Sequence, residues 1–257
     1  MIYLQGDGVS QLPLPKGKGL LAEKDKMDKD ISIIVNARVE STRISRKLVR
    51  PFSNTTLLEI ALNKLTKLSD YRCFLACADD EIISLYNEKF AKTNISLIVR
   101  SKESVQKGFN DYRVAFGHYK ELPTRFFMWM NPCSPFVDIA TYNTAIKFFQ
   151  DNKDIMTMTS VKSSENVFMD DKFSTINIEG KEIRSVKNKK VYEMSHLFHF
   201  FDKEYFLRTA SFWNYEKSNP YFYEVPREQS FDVDDPIDFV VAEALYDKYG
   251  PVIGAEI

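Results

Sequence analysis

Cysteine, histidine and glycine are scarce in this chain of 257 residues, at three, three and nine. An odd, widely spaced set of thiols, Cys73, Cys77 and Cys133, excludes a disulfide framework and fits a reducing compartment. No histidine stands at ligand spacing from a thiol, so a zinc site is not expected and the cysteines read as core residues. No apolar run reaches the length of a membrane span. No basic start followed by an apolar centre and a small-residue cleavage site is visible either, and the reading is a cytoplasmic protein without membrane contact. The net charge of -1 gives no global attraction to nucleic acid. Any anion binding therefore has to come from local clustering.

What is present suits one compact domain: 44% of the residues are apolar and 28% charged. Residues 1–30 stand apart. GDGVSQLPLPKGKG is rich in glycine and proline and LLAEKDKMDKD is a charge run, so the segment reads as an extension or linker. The domain is expected over 31–249, with 250–257 as a tail. From Ile31 to about residue 150 apolar strands alternate with helical periodicity. Strands are expected at 31–37, 72–78, 95–99 and 125–131, and helices after the first of these and at 80–90, 104–120 and 138–150. Such alternation implies right-handed crossovers and a mainly parallel sheet.

The densest feature is the loop after the first strand. Arg38, Arg43, Arg46, Lys47 and Arg50 follow the run ISIIVNA and precede the helical LLEIALNKL. A buried strand opening into cations places positive charge at the carboxyl edge of a sheet, where open α/β folds bind ligands. A triphosphate is satisfied by backbone donors, guanidinium forks and an ammonium charge.

The string Ala37-Arg38-x-x-Ser41-x-Arg43-Ile44-x-x-Lys47-Leu48-x-x-Pro51 resembles the nucleotide-binding signature of the CMP-sugar synthetases, the cytidylyltransferases that activate sialic acids, related nonulosonic acids and KDO. Many members carry two glycines where this chain has Val39 and Glu40. The resemblance implies a three-layer α/β nucleotidyltransferase (Rossmann-like) fold. It places the triphosphate of CTP on Ala37, Arg38, Ser41, Arg43 and Lys47. Cys77-Ala78-Asp79-Asp80 resembles the family's Ser-Thr-Asp-Asp, which adds Asp79, and Arg100 resembles an arginine beside the cytosine ring. Asp80 is also a candidate helix N-cap. Asn131-Pro132-Cys133-Ser134-Pro135 resembles Gln-Pro-Thr-Ser-Pro, which implies acceptor contacts at Asn131 and Ser134. The arginine that follows this motif in the family is absent, since Phe136-Val137-Asp138 comes next.

Phe231-Asp232-Val233-Asp234-Asp235-Pro236 resembles the family's closing Asp-Ile-Asp-x-Pro-x-Asp, which implies a magnesium ion held by Asp232 and Asp234. Alternate residues of an extended segment point the same way, and Mg2+ takes only one or two carboxylates. Asp235, before Pro236, reads as the N-cap of a helix from Ile237 to Tyr249.

Between 154 and 200 the pattern changes to short strands and charged turns: DIMTMTSV, FSTINIEGKEIRSV with a Glu-Gly turn, a lysine tip at Lys187, Lys189 and Lys190, then HLFHFF. This reads as a small antiparallel excursion over 160–195, which in the family helps form a homodimer. His196 is a candidate acceptor contact. His199, three residues on, is expected on the opposite face of its strand in a structural role.

The implied activity is transfer of CMP from CTP to the hydroxyl of a small sugar acid, with Lys47, Arg38, Asp232 and Asp234 as the catalytic set and Mg2+ as cofactor. A metal-dependent glycosyltransferase also joins a nucleotide-binding sheet to an Asp-x-Asp, and a degenerate binding module would keep the sheet alone. The released product separates the three. The synthetase yields pyrophosphate, the glycosyltransferase a nucleoside mono- or diphosphate, and the module nothing.

Overall fold

The computed structural model describes residues 30–106, 111–178, 188–216 and 218–251. Residues 1–29 of the expected extension, the Glu179-Gly180 turn, Lys187 and residues 252–257 of the tail lie outside them.

Among the described residues seven strands form one sheet in the order β3-β2-β1-β4-β6-β5-β7. They are β1 (Ile31–Asn36), β2 (Arg72–Cys77), β3 (Ile95–Val99), β4 (Phe126–Met130), β5 (Met158–Ser164), β6 (Val191–Asp202) and β7 (Tyr221–Glu224). β1 pairs in parallel with β2 and β4, β2 with β3, and β5 with β7. β6 runs antiparallel to both β4 and β5, so the excursion is one long reversed strand set inside the sheet.

Alternation along the strands sorts side chains into two cores. Ile31, Ile33 and Val35 face α1 (Leu57–Thr66), α2 (Asp80–Lys89), α4 (Ile139–Asp151) and α6 (Pro236–Tyr249). Ile34, Phe127 and Phe201 face Tyr119, Leu122 and Phe206, the last on α5 (Lys203–Thr209). The result is the expected three-layer nucleotidyltransferase architecture. Cys73, Cys77 and Cys133 are buried free thiols, and burial pushes the first two up to about 12 and the third to about 11, which leaves them unreactive.

Two expected elements differ. The helix over 104–120 is a 3-10 turn at Glu103–Val105, a single turn α3 (Tyr112–Ala115) and a second 3-10 turn at Gly117–Glu121. Asp111 accepts the amide of Arg113 and so starts α3 afresh rather than continuing a helix. The strand expected at FSTINI is a loop. Asn177 staples it, donating to the carbonyls of Asn166 and Lys189 while its own oxygen accepts from the amide of Phe168.

Candidate active site

The chain leaves β1 for β2 and β3 on one side of the sheet and later returns past β1 to β4 on the other. The carboxyl ends of β1 and β4 therefore flank a topological switch point, where the connecting loops diverge and leave a crevice. The basic loop leaves one side of this crevice and Asn131 the other.

Residues 37–55 are a set of turns rather than an extended flap. Left-handed backbone falls at Arg46 (φ 55) and Ser53 (φ 55), not at Val39 or Glu40, so this loop needs no glycine at the two positions where many relatives have one. The amide of Ala37 donates to the Ala76 carbonyl at 2.9 Å, and the amide of Val39 to Asp79 Oδ2 at 3.1 Å. Asp79 thereby ties the loop to the end of β2. It makes no side-chain cap on α2, and Asp80 is not the N-cap but a first-turn residue, where negative charge suits the helix end.

The far end of the loop is fastened to α6. Phe52 is fully buried with its ring edge-on to Phe239 and Tyr246, Arg50 lies 4.7 Å over the Phe239 ring, and the amide of Ser53 donates to Glu243. α6 itself begins with the expected Asp235 N-cap, completed as a capping box by Asp238 and by Pro236 in the first turn. Asp238 Oδ2 also accepts the amides of Asp234 and Asp235, which sets the direction of the acidic segment.

Across the crevice the two charged motifs meet. Arg43 forks onto Asp234 with contacts of 2.8 and 2.7 Å. Lys47 Nζ donates to the Val233 carbonyl at 2.7 Å and lies 3.7 Å from Asp234 Oδ1. Asn131 Nδ2 donates both to Asp232 Oδ1 at 3.1 Å and to the His196 carbonyl at 2.8 Å, joining β4, β6 and the acidic segment. Burial first, then the neighbouring Asp234, pushes the Asp232 carboxyl up to about 6. Arg38 is exposed at the rim and Ser41 partly so. Arg38 also lines a cavity of about 530 Å³ with Asp79, Lys102 and Gln106.

The donor set fits a hard cation. It offers carboxylate oxygens, and one of the pair is held protonation-prone by desolvation and like charge, a deficit that a bound cation relieves. No cluster of three His, Cys, Asp or Glu side chains suited to a metal forms among the described residues, so any ion here would rely on this pair, phosphate oxygens and water.

Two residues implied by the resemblance are not brought to the crevice. Arg100 is buried and its guanidinium donates to the carbonyls of Ser104 and Ala115 at 3.0 and 2.7 Å. Ser134 is buried too, its carbonyl taken with that of Pro135 by the buried Lys64 of α1. The histidines also differ from expectation. His196 and His199 do not face apart, because β6 is irregular opposite Thr159 and Val161 and His196 has φ 53; their rings come within 3.4 Å. Sequence reasoning missed Asn131 as the link between carboxylate and strand, and Ser160, which accepts the amide of Leu197 and the hydroxyl of Ser195 inside the irregular stretch.

A sheet of this order with charge gathered at the β1/β4 switch point defines a nucleotidyltransferase fold. A family model described as "Cytidylyltransferase" matches residues 32–248, and the chain belongs to that family. It is a CTP-dependent nucleotidyltransferase. Solved structures agree on the fold. A 4-diphosphocytidyl-2C-methyl-D-erythritol synthase from Anaerococcus prevotii is 16% identical, with a TM-score of 0.59 over 86% of this chain and 100% of its own. A CMP:2-keto-3-deoxy-manno-octonic acid synthetase complexed with CTP is 10% identical, with a TM-score of 0.58 over 85% of this chain and 99% of its own. A cytidylyltransferase from Leptospira borgpetersenii is 17% identical, with a TM-score of 0.52 over 86% of this chain and 87% of its own. The search of curated proteins finds no match. No described helix is long and apolar enough to cross a membrane.

Proposed function

We propose that the chain transfers CMP from CTP to the hydroxyl of a small sugar acid and releases pyrophosphate, for surface glycan biosynthesis in the cytoplasm. The hydroxyl oxygen bonds to the α-phosphorus, the bond from that phosphorus to the bridging oxygen of the β-phosphate breaks, and the hydroxyl proton passes to solvent. Arg38, Arg43 and Lys47 hold the triphosphate and offset the charge that grows on the leaving pyrophosphate. Asn131 orients Asp232, and Asp79 holds the backbone of the phosphate loop through Val39. Asp232 and Asp234 would hold Mg2+, which when bound supplies further neutralisation of phosphate charge. No protein nucleophile is required, in keeping with the raised pKa of the Cys133 thiol beside Lys47.

The observation that carries this reading is the meeting of Arg43 and Lys47 with Asp234, 191 and 187 residues away in sequence, at the switch point. The test is pyrophosphate release with magnesium from each of CTP, UTP, ATP and GTP, against sugar acids, a polyol phosphate and no acceptor. Release from CTP only with a sugar acid is the expected result. Release of a nucleoside diphosphate, or no release at all, refutes it. We propose further that the chain is a homodimer through the 160–195 segment; light scattering at working concentration should return twice the 29.9 kDa chain mass.

A further inference from the structure

The irregular stretch of β6 puts two histidines into one hydrogen-bonded chain. Thr159 is fully buried, and its hydroxyl lies 2.7 Å from His199 Nδ1. That ring nitrogen is the only hydrogen-bond partner of the hydroxyl among the described residues, so the buried O–H donates to Nδ1. His199 is buried as well, and desolvation pushes it down to about 3, so it stays neutral and carries one proton. With Nδ1 accepting, that proton is on Nε2, which faces His196 Nδ1 at 3.4 Å. The proton of a neutral His196 is then on its own Nε2.

His196 is held in this position by its own backbone angle and by two sets of hydrogen bonds. Its left-handed backbone (φ 53) turns the ring out of the strand's alternation, Ser160 staples the following amides, and Asn131 fixes its carbonyl. The ring lines a cavity of about 760 Å³ with Tyr192, Met194, Tyr215 and Phe222, and with Glu193, which Lys162 pairs at 3.3 Å. Facing charges are thus Glu193 and Asp234, both already matched, by Lys162 and by Arg43. Among the described residues that line the cavity no lysine or arginine offers itself to an anion.

We propose that Thr159 and His199 act as positioning residues that fix His196 as a neutral Nε2–H donor, and that this donor reads the carboxylate of the acceptor while the aromatic wall carries its ring. The proposal rests on the sugar-acid reading above and adds to it the group that recognises the acid. The neutral donor suits a site beside Asp234, where a second fixed charge would compete for the phosphate cations.

Ring 1H–15N spectra of labelled protein test this without turnover, with His196→Asn used for assignment, since asparagine tolerates left-handed backbone. Both rings should show the Nε2–H tautomer at neutral pH. Thr159→Val should leave His196 as a tautomer mixture, and Thr159→Ser should restore the single form. In the presence of CTP, N-acetylneuraminate should move the His196 Nε2 signal and its methyl ester should not. In steady state Thr159→Val should raise the acceptor KM about tenfold and leave the CTP KM unchanged. An Nδ1–H tautomer at His196, an unchanged tautomer in Thr159→Val, or equal response to acid and ester overturns the proposal. Absence of pyrophosphate release with every acid refutes the activity reading instead, and the binding spectra still decide the role of His196.

Discussion

The β1/β4 edge and the β2/β3 edge of the sheet both end in charge, and the structure uses that charge differently. At β1/β4, Arg43, Lys47, Asp232 and Asp234 meet across the crevice, with Arg43 and Asp234 exposed to solvent at 59% and 45%. An exposed pair of this kind adds little stability, which leaves both partners free to exchange for a ligand at small cost. At β2/β3 the protein takes up the charge in part, since the buried Nε of Arg100 has no partner among the described residues. Asp79 is occupied by the amide of Val39 and Arg100 by two carbonyls. In the site proposed above, charge after a strand is left open to a ligand where the sheet order reverses, and is tied to backbone groups where successive strands lie side by side.

Mutations can break that contrast. The largest effects belong to the β1/β4 edge: Lys47→Ala, Asp232→Asn and Asp234→Asn should each lower magnesium-dependent pyrophosphate release by about 10²- to 10³-fold, with the melting temperature held or raised in the two aspartate variants and lowered modestly in Lys47→Ala, which leaves the Val233 carbonyl unpaired. Near wild-type release at limiting magnesium in both aspartate variants would remove the metal assignment. At the other edge Arg100→Met should act on stability, by about 1–3 kcal/mol in denaturant titration, through the carbonyls of Ser104 and Ala115 left unpaired. A loss of CTP affinity at unchanged stability would instead return Arg100 to the nucleotide.

A pH series sharpens the same contrast. Asp232 is raised from 3.8 to about 6 in the folded protein, so between those values the native state binds more protons than the unfolded one. Its contribution to stability is present below that window and is lost as pH rises through it, by about 3 kcal/mol. Asp232→Asn should flatten this slope in a melting series from pH 4 to 7, and an unaltered slope would assign it to other groups. The smallest effect is expected for Asp79→Ala, about 1 kcal/mol from the lost Val39 bond, with a few-fold rise in the CTP KM as the loop loosens. An unchanged KM would detach the tether from nucleotide binding.

The parallel half of the fold was readable because its signals are local: each of β1 to β4 is a short apolar run, and α1 and α4 carry helical periodicity and side-chain caps at Thr56 and Asp138. The Asp235 cap was readable for the same reason. The charged motifs could be found by spacing, but their meeting could not, since Arg43 and Asp234 are joined only by tertiary structure. Arg100 and Ser134 show the reverse, since residue type and position point to a site while burial takes both away from it. The histidines were misplaced because a period of two assumes an unbroken strand. The interruption is made by Ser160 on the neighbouring strand and leaves no mark within HLFHFF.

The fastening of the basic loop to α6 has a consequence for synthesis. α6 follows all seven strands in the chain, yet it supplies Phe239, Tyr246 and Glu243 to the loop and carries the acidic segment at its start. Chains are made from the amino end, and contacts across nearly two hundred residues form late because the loop they close is long. A nascent chain can therefore complete its four parallel strands while its phosphate clamp is still half built. Until α6 docks, Arg43 and Lys47 have no Asp234 opposite them and are open to any polyanion in the surrounding solution, whereas Arg46 can already pair with Glu81 of α2.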